Sequence, residues 1–185
     1  MNGTQSETPS ITSSPKPRAP RLSLYHVNGA GSGAALQLEL RLNRPGEDRY
    51  DCYFLDVAAQ KSAAGRDGDK RIPARFDWEN KLTVKLDFAD VCELLGVLEG
   101  RFERAGGQRN GLYHENGKGC TVISFQKGQE KAGYFLGLSR KVKDGGQVVR
   151  AQIVLSETEA IGLRCLFQSG LFFMTYRQAL VVDGR

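Results

Sequence analysis

No apolar run in this 185-residue chain approaches the roughly 20 residues that cross a bilayer. The cysteines Cys52, Cys92, Cys120 and Cys165 never come as C-x-x-C, and only His26 and His114 are at hand to join them. That spacing excludes the common zinc and redox motifs. No metal and no cofactor is expected, and the cysteines read as buried free thiols in a reducing cytosol. H-E-x-x-H and G-x-S-x-G are missing, and neither glycine-rich loop ends in Gly-Lys-Ser/Thr. With no orienting partner recurring beside the two histidines, no catalytic residue is assigned, and the expectation is a protein that is not an enzyme. The first 20 residues lack the apolar segment of a secretory signal. They are rich in Ser, Thr and Pro and are expected to form a disordered tail.

What the chain does have is the balance of an ordinary globular protein, with 40% hydrophobic and 25% charged residues. Its net charge of +5 is unevenly placed. Residues 1–100 hold 13 basic and 14 acidic side chains (net −1), residues 101–150 hold 10 and 4 (net +6), and residues 151–185 hold 3 of each (net 0). A positive field concentrated in one segment is the electrostatic footprint of a polyanion binder.

The chain also repeats itself. Leu24-Tyr25-His26-Val27-Asn28-Gly29-Ala30-Gly31 returns 88 residues later as Leu112-Tyr113-His114-Glu115-Asn116-Gly117-Lys118-Gly119. The same order of elements follows each copy. In the first half, Leu36, Leu38, Leu40 and Leu42 alternate with polar residues, which predicts a half-buried strand. A turn at 44–48, a strand at 50–60, a polar loop at 62–71 and a strand at 80–86 come next. A helix then opens at Asp87, with Phe88, Val91, Leu94, Leu95 and Leu98 on its apolar face. The second half gives strands at 120–128, 133–142 and 148–155, with turns at 129–133 and 143–147. Ser156-Glu157-Thr158-Glu159 is a capping box opening a second helix, whose apolar positions are Ala160, Ile161, Leu163, Leu166 and Phe167. Tyr53-Phe54-Leu55 corresponds to Tyr134-Phe135-Leu136, and Val84-Lys85-Leu86-Asp87 to Ile153-Val154-Leu155-Ser156. The reading is an α+β fold: a ββββα unit used twice, as two curved antiparallel sheets with a helix after each. One domain spans 21–182, with repeat 1 at 21–105 and repeat 2 at 108–182. Neither glycine-rich loop leads into a helix, so both read as hairpin turns rather than phosphate loops.

A tandem ββββα unit with this charge placement resembles the Whirly-type single-stranded nucleic-acid-binding fold. That group includes the plant Whirly proteins and the kinetoplastid guide-RNA-binding proteins, and it is related to the positive-cofactor-four coactivators. The resemblance covers about residues 21–180 and lies in element order. It implies sequence-tolerant binding of single strands across curved sheets, often by an oligomer.

Such binding needs cations for phosphates and flat side chains for bases. The segment 113–143 supplies both, and the candidates are Lys118, Lys127, Lys131, Arg140, Lys141, Lys143, Phe135, Tyr113 and His114. Period two puts Phe125 with Ile123, and Tyr134 with Leu136 and Leu138, toward the core. It leaves Phe135 beside Gly137 and Ser139 as the better stacking ring. His26 and His114, being equivalent in a repeat, also read as strand or turn residues. The expected function is non-enzymatic binding of single-stranded DNA, with RNA second, through the second sheet. An interaction domain for an acidic partner is the alternative. Gly170 is expected to interrupt the last helix. The apolar stretch after it then either folds back or joins copies into a dimer or tetramer. A cytoplasmic or nucleoid-associated location, away from membranes, fits these expectations.

Overall fold

The computed structural model describes residues 21–43, 51–117, 119–128, 133–143 and 146–180, with side chains described to Tyr176. The expected tail at 1–20 and the turn at 44–48 lie outside the described residues. In chain order the elements are β1 (Arg21–His26), β2 (Ala34–Arg41), β3 (Cys52–Ser62), β4 (Gly65–Asp67), β5 (Lys70–Ile72), β6 (Arg75–Phe76), β7 (Leu82–Leu86), α1 (Phe88–Leu98), β8 (Leu112–Asn116), β9 (Gly119–Lys127), β10 (Tyr134–Val142), β11 (Val149–Leu155) and α2 (Glu157–Leu180).

The first sheet pairs β1, β2, β3 and β7 in that order, all antiparallel. The second pairs β8, β9, β10 and β11 in the same way. The fold is therefore α+β, a four-stranded meander followed by a helix, twice over. The first copy is elaborated between β3 and β7. Residues expected as a polar loop fold as the β4–β5 hairpin, closed by Gly68 and Asp69. Gly-Asp at a two-residue turn is a hairpin signal, with Gly68 at φ +59° in the first turn position. β6 then pairs with the far end of β3.

The alternating strands do what their pattern demands. Leu36, Leu38, Tyr53, Leu55 and Val57 from one sheet are buried, as are Ile123, Phe125, Tyr134, Leu136 and Leu138 from the other. They share one core with Val91, Leu94 and Leu98 of α1 and Ala160, Leu163 and Phe167 of α2. β11 lies against β2 and β3, and the two helices pack on each other. Three expected core positions face water instead: Leu42, which lies past the end of β2, Phe88 and Ile161. Of the four cysteines expected to be buried only Cys52 is; Cys92 and Cys165 lie exposed on the outer faces of the helices, and Cys120 is partly exposed.

The repeated Leu-Tyr-His has a structural role in both copies. The leucine packs against the core, the tyrosine points to the outer face, and the histidine reaches the other repeat's helix. His26 Nε2 is 2.7 Å from Glu159 Oε1, and His114 Nε2 is 3.1 Å from Asp90 Oδ1. Both carboxylates are the third residue of their helix and close a capping box. Glu159 accepts from Ser156 N at 2.8 Å, and Asp90 from Asp87 N at 2.9 Å. Each repeat's first strand thus latches the start of the other repeat's helix. The Asp87–Asp90 box, with two short acids, was not apparent in the sequence.

The first glycine-rich loop is organised by the buried Gln60. Its Oε1 accepts from Asn28 N and Gly33 N, both at 3.0 Å, and its Nε2 donates to Asn28 O at 3.0 Å. These amides are consumed internally, so the loop does not offer them to a phosphate. In the second copy Asn116 pairs with Gly119. Gly119 sits at φ +141°, where a Cβ would overlap the Lys141 carbonyl oxygen, so glycine is required there.

Gly170 does not interrupt α2, which continues unbroken through it to Leu180. The Tyr53 hydroxyl sits against Gly170 and donates to Leu166 O at 2.8 Å. The glycine is there to admit that ring, and packing outweighs its poor helix propensity.

Candidate nucleic-acid interface

Strand alternation gives each sheet an outward face. On the second sheet it carries Tyr113, Val122, Ser124, Gln126, Phe135, Gly137, Ser139, Lys141, Arg150 and Gln152, as the cross-strand registers require. Phe135 is half-buried and its ring lies over Gly137, whose missing Cβ leaves room for it. Tyr113 is 58% exposed and donates its hydroxyl to Arg109 O at 3.1 Å. Phe125 and Tyr134 stack on each other inside the core, with centroids 5.7 Å apart.

The candidate cations do not form one strip. Lys127 ends β9, and Lys141 sits at the opposite rim, opposite Cys120. Seven residues of β9 separate those levels, roughly 24 Å at about 3.4 Å per residue. Lys143 lies exposed beyond the Lys141 rim, and Lys118 and Lys131 fall outside the described residues. Lys127 falls on the core-side face of β9, in line with Ile123 and Phe125 and opposite Tyr134, with its Nζ 6.0 Å from the Tyr134 ring centroid and 3.9 Å from Glu157. The middle of the outward face is polar and aromatic, with Lys141 at one end.

Two further candidates are turned inward. Arg140 is opposite Thr121 on the core side, donates to Thr121 Oγ1 at 2.9 Å, and reaches the Thr83 carbonyl of the other sheet. Its guanidinium ties the sheets together. His114 is held by Asp90 as a latch. Burial pushes the Asp90 carboxyl above its ordinary pKa, more than its backbone bond to Asp87 and the nearby His114 lower it. Burial also raises that of Glu159, but the hydrogen bonds from His26 and Ser156 outweigh it and leave it lowered. Fully buried Tyr53 is pushed up to about 12 by desolvation.

The first sheet carries a counterpart that charge counting overlooked. Phe54, the equivalent of Phe135, faces outward with the Arg41 guanidinium 4.6 Å from its ring centroid. Tyr25, the equivalent of Tyr113, is 53% exposed. Arg21 and Lys81 flank this face but meet Glu39 and Asp56, at 3.6 and 2.5 Å. The signal for these rings was present in the sequence: the correspondences that mark Tyr113 and Phe135 mark Tyr25 and Phe54 equally. Among the described residues no group of three His, Cys, Asp or Glu side chains is placed to hold a metal ion. None of the described helices is long and apolar enough to cross a membrane.

Solved structures share this architecture. WHY1 from Arabidopsis thaliana, a Whirly protein, matches with a TM-score of 0.66 at 18% identity, over 90% of this chain and 90% of that one. The plant transcriptional regulator PBF-2 matches with a TM-score of 0.64 at 17% identity, over 90% of this chain and 88% of that one. A guide-RNA-binding protein complex bound to a guide RNA matches with a TM-score of 0.54 at 18% identity, over 84% and 92%. The chain therefore has the Whirly-type fold expected from its element order. No protein-family model and no curated protein matches its sequence.

Proposed function

We propose that this protein binds single-stranded nucleic acid, DNA first and RNA second, with little sequence preference and without catalysis. One observation carries the reading: a tyrosine and a phenylalanine stand at matching outward positions of both sheets, Tyr25 with Phe54 and Tyr113 with Phe135. Rings on a sheet face accept any base, because every base has a π-face, while rim cations such as Lys141 and Lys143 follow the backbone. The guide-RNA-binding complex with the same fold lends support from a protein bound to an RNA. Both histidines are engaged with carboxylates that cap helices, which speaks against a histidine-based hydrolase.

Titration of a labelled oligonucleotide of about 30 nucleotides, single- and double-stranded side by side, tests the proposal, with binding falling by about 0.7 log units per released counterion for each log unit of salt. Equal affinity for duplex overturns the single-strand claim. No binding, with protein partners that survive nuclease, favours the acidic-partner interaction domain. Lys127→Glu with Lys141→Glu is expected to weaken binding more than Arg41→Glu with Lys61→Glu, because the net positive charge is concentrated in residues 101–150. The reverse order would assign the dominant surface to the first sheet.

The same reading includes a dimer or tetramer. Phe172, Phe173 and Tyr176 cluster on the late turns of α2 with centroids 5.5–5.9 Å apart, 42–55% exposed. Light scattering is expected to give a multiple of 20.4 kDa. Phe172→Asp with Tyr176→Asp is expected to reduce it to one chain. A single-chain mass for the unaltered protein at every concentration rejects the assembly. A location in the cytoplasm or on a nucleoid belongs to this proposal.

A further inference from the structure

The insertion between β3 and β7 builds a feature that the second repeat lacks. Tyr25, Phe76 and Trp78 form an aromatic triad: Tyr25 lies 5.6 Å from Phe76 and 6.4 Å from Trp78, and Phe76 lies 6.4 Å from Trp78. The rings are mutually tilted, so they do not pair off face to face, and Tyr25 is half exposed. They line an open cleft with Pro73, Arg71 and Arg75, and no carboxylate lines it. Arg75, Phe76 and Trp78 also line the adjoining cleft, onto which Asp77 and Glu79 open with Lys61.

The platform is fixed to the sheet. Phe76 pairs with Gln60, Asp77 N donates to Ala59 O at 2.9 Å, and Trp78 N donates to Phe76 O at 3.0 Å. Beside Tyr25 in the cross-strand row stand Ala35 and Ala58, both fully buried. The corner therefore continues the outward face of the first sheet toward the β4–β5 hairpin.

We propose that this corner is a separate subsite for one unpaired nucleobase of a bound strand, stacked on the triad, with its flanking phosphates on Arg71 and Arg75. The inference rests on the single-strand reading above and adds a site to it. Flat rings select a flat ligand, and two guanidiniums with no carboxylate select an anionic one. A duplex hides its base faces and does not fit.

Trp78 is the chain's one tryptophan, so intrinsic fluorescence reports on this corner alone. Oligothymidylate of about 20 nucleotides, long enough to span more than one stacking platform, is titrated while label anisotropy and tryptophan emission are read together. The expected result is quenching that saturates with the anisotropy, and no quenching by a duplex of equal length. Trp78→Ala is expected to weaken binding about fivefold to a hundredfold, the range that loss of one stacked base gives. Trp78→Phe should retain most of the affinity, and Arg71→Glu with Arg75→Glu should lose it while circular dichroism is unchanged. If Trp78→Ala fails to fold, the arginine pair and the quenching decide. Binding by anisotropy without quenching, and with affinity unmoved by these changes, overturns the subsite and leaves the single-strand reading standing. No anisotropy change overturns both.

Discussion

Gly170→Ala sets two effects of known size against each other within one helix. Alanine is about 1 kcal/mol better than glycine in a helix interior, so propensity alone predicts stabilisation. The structure predicts the opposite. A Cβ at Gly170 would overlap the Tyr53 hydroxyl and lie 2.6 Å from the ring carbons Cε2 and Cζ. Tyr53 is fully buried and packed edge-on against Phe167 with centroids 5.5 Å apart, so the ring has nowhere to move. Overpacking of this kind costs about 1–3 kcal/mol. Pushing the ring aside also breaks the bond to Leu166 O, worth about 1 kcal/mol. Against the propensity gain, the net is a loss of about 1–3 kcal/mol. For a domain of this size each kcal/mol lowers Tm by about 2–4 °C. Gly162 of the same helix is the control, since a Cβ there meets nothing within 4 Å. Gly162→Ala should raise stability by about 1 kcal/mol, the propensity term alone. Urea unfolding of both variants by circular dichroism is the assay. If Gly170→Ala stabilises as Gly162→Ala does, the packing of Tyr53 against α2 is wrong.

The two histidine latches should respond oppositely to pH. Glu159 has a lowered folded pKa, so its contribution is present above its ordinary pKa and lost as pH falls through the folded one; Glu159→Gln should therefore cost most near neutrality, with the gap in urea midpoint closing in acid. Asp90 has a raised folded pKa, so stability is lost as pH rises through it, and Asp90→Asn should gain on the unaltered protein as pH rises; a gap constant with pH for either variant removes the linkage. Arg140→Ala should lower stability by about 1.5–3 kcal/mol through its lost charged hydrogen bonds while leaving the salt dependence of oligonucleotide binding unchanged. Lys141→Ala should do the reverse, leaving stability within about 0.5 kcal/mol and lowering the salt slope by about 0.7. A change in slope for Arg140→Ala would move its guanidinium from the tether to the interface.

The sequence by itself determined the two four-stranded meanders, the helix after each and their order, because those follow from local rules, though not the β4–β5 hairpin or β6. Alternation through Leu36, Leu38 and Leu40 buries one face of a strand, Ser156 and Glu159 close a cap, and the second Leu-Tyr-His announces the second sheet. It also determined that Phe125 and Tyr134 turn inward and Phe135 outward, since period two fixes facing once one core residue is known. Only the tertiary structure decided what depends on contacts between residues far apart in the chain. Gly170 reads as a helix breaker until Tyr53, 117 positions earlier, is seen occupying its side-chain space. Arg140 reads as one more cation of a basic segment until Thr83 of the other sheet is found at its guanidinium. His26 and His114 are equivalent in sequence, but that each caps the opposite repeat's helix appears only when the two sheets pack together. Net charge along the chain pointed to the second sheet alone. Folding splits those cations between opposite rims and gathers Tyr25, Phe76 and Trp78 on the first, because proximity in space is set by strand pairing and not by proximity in sequence.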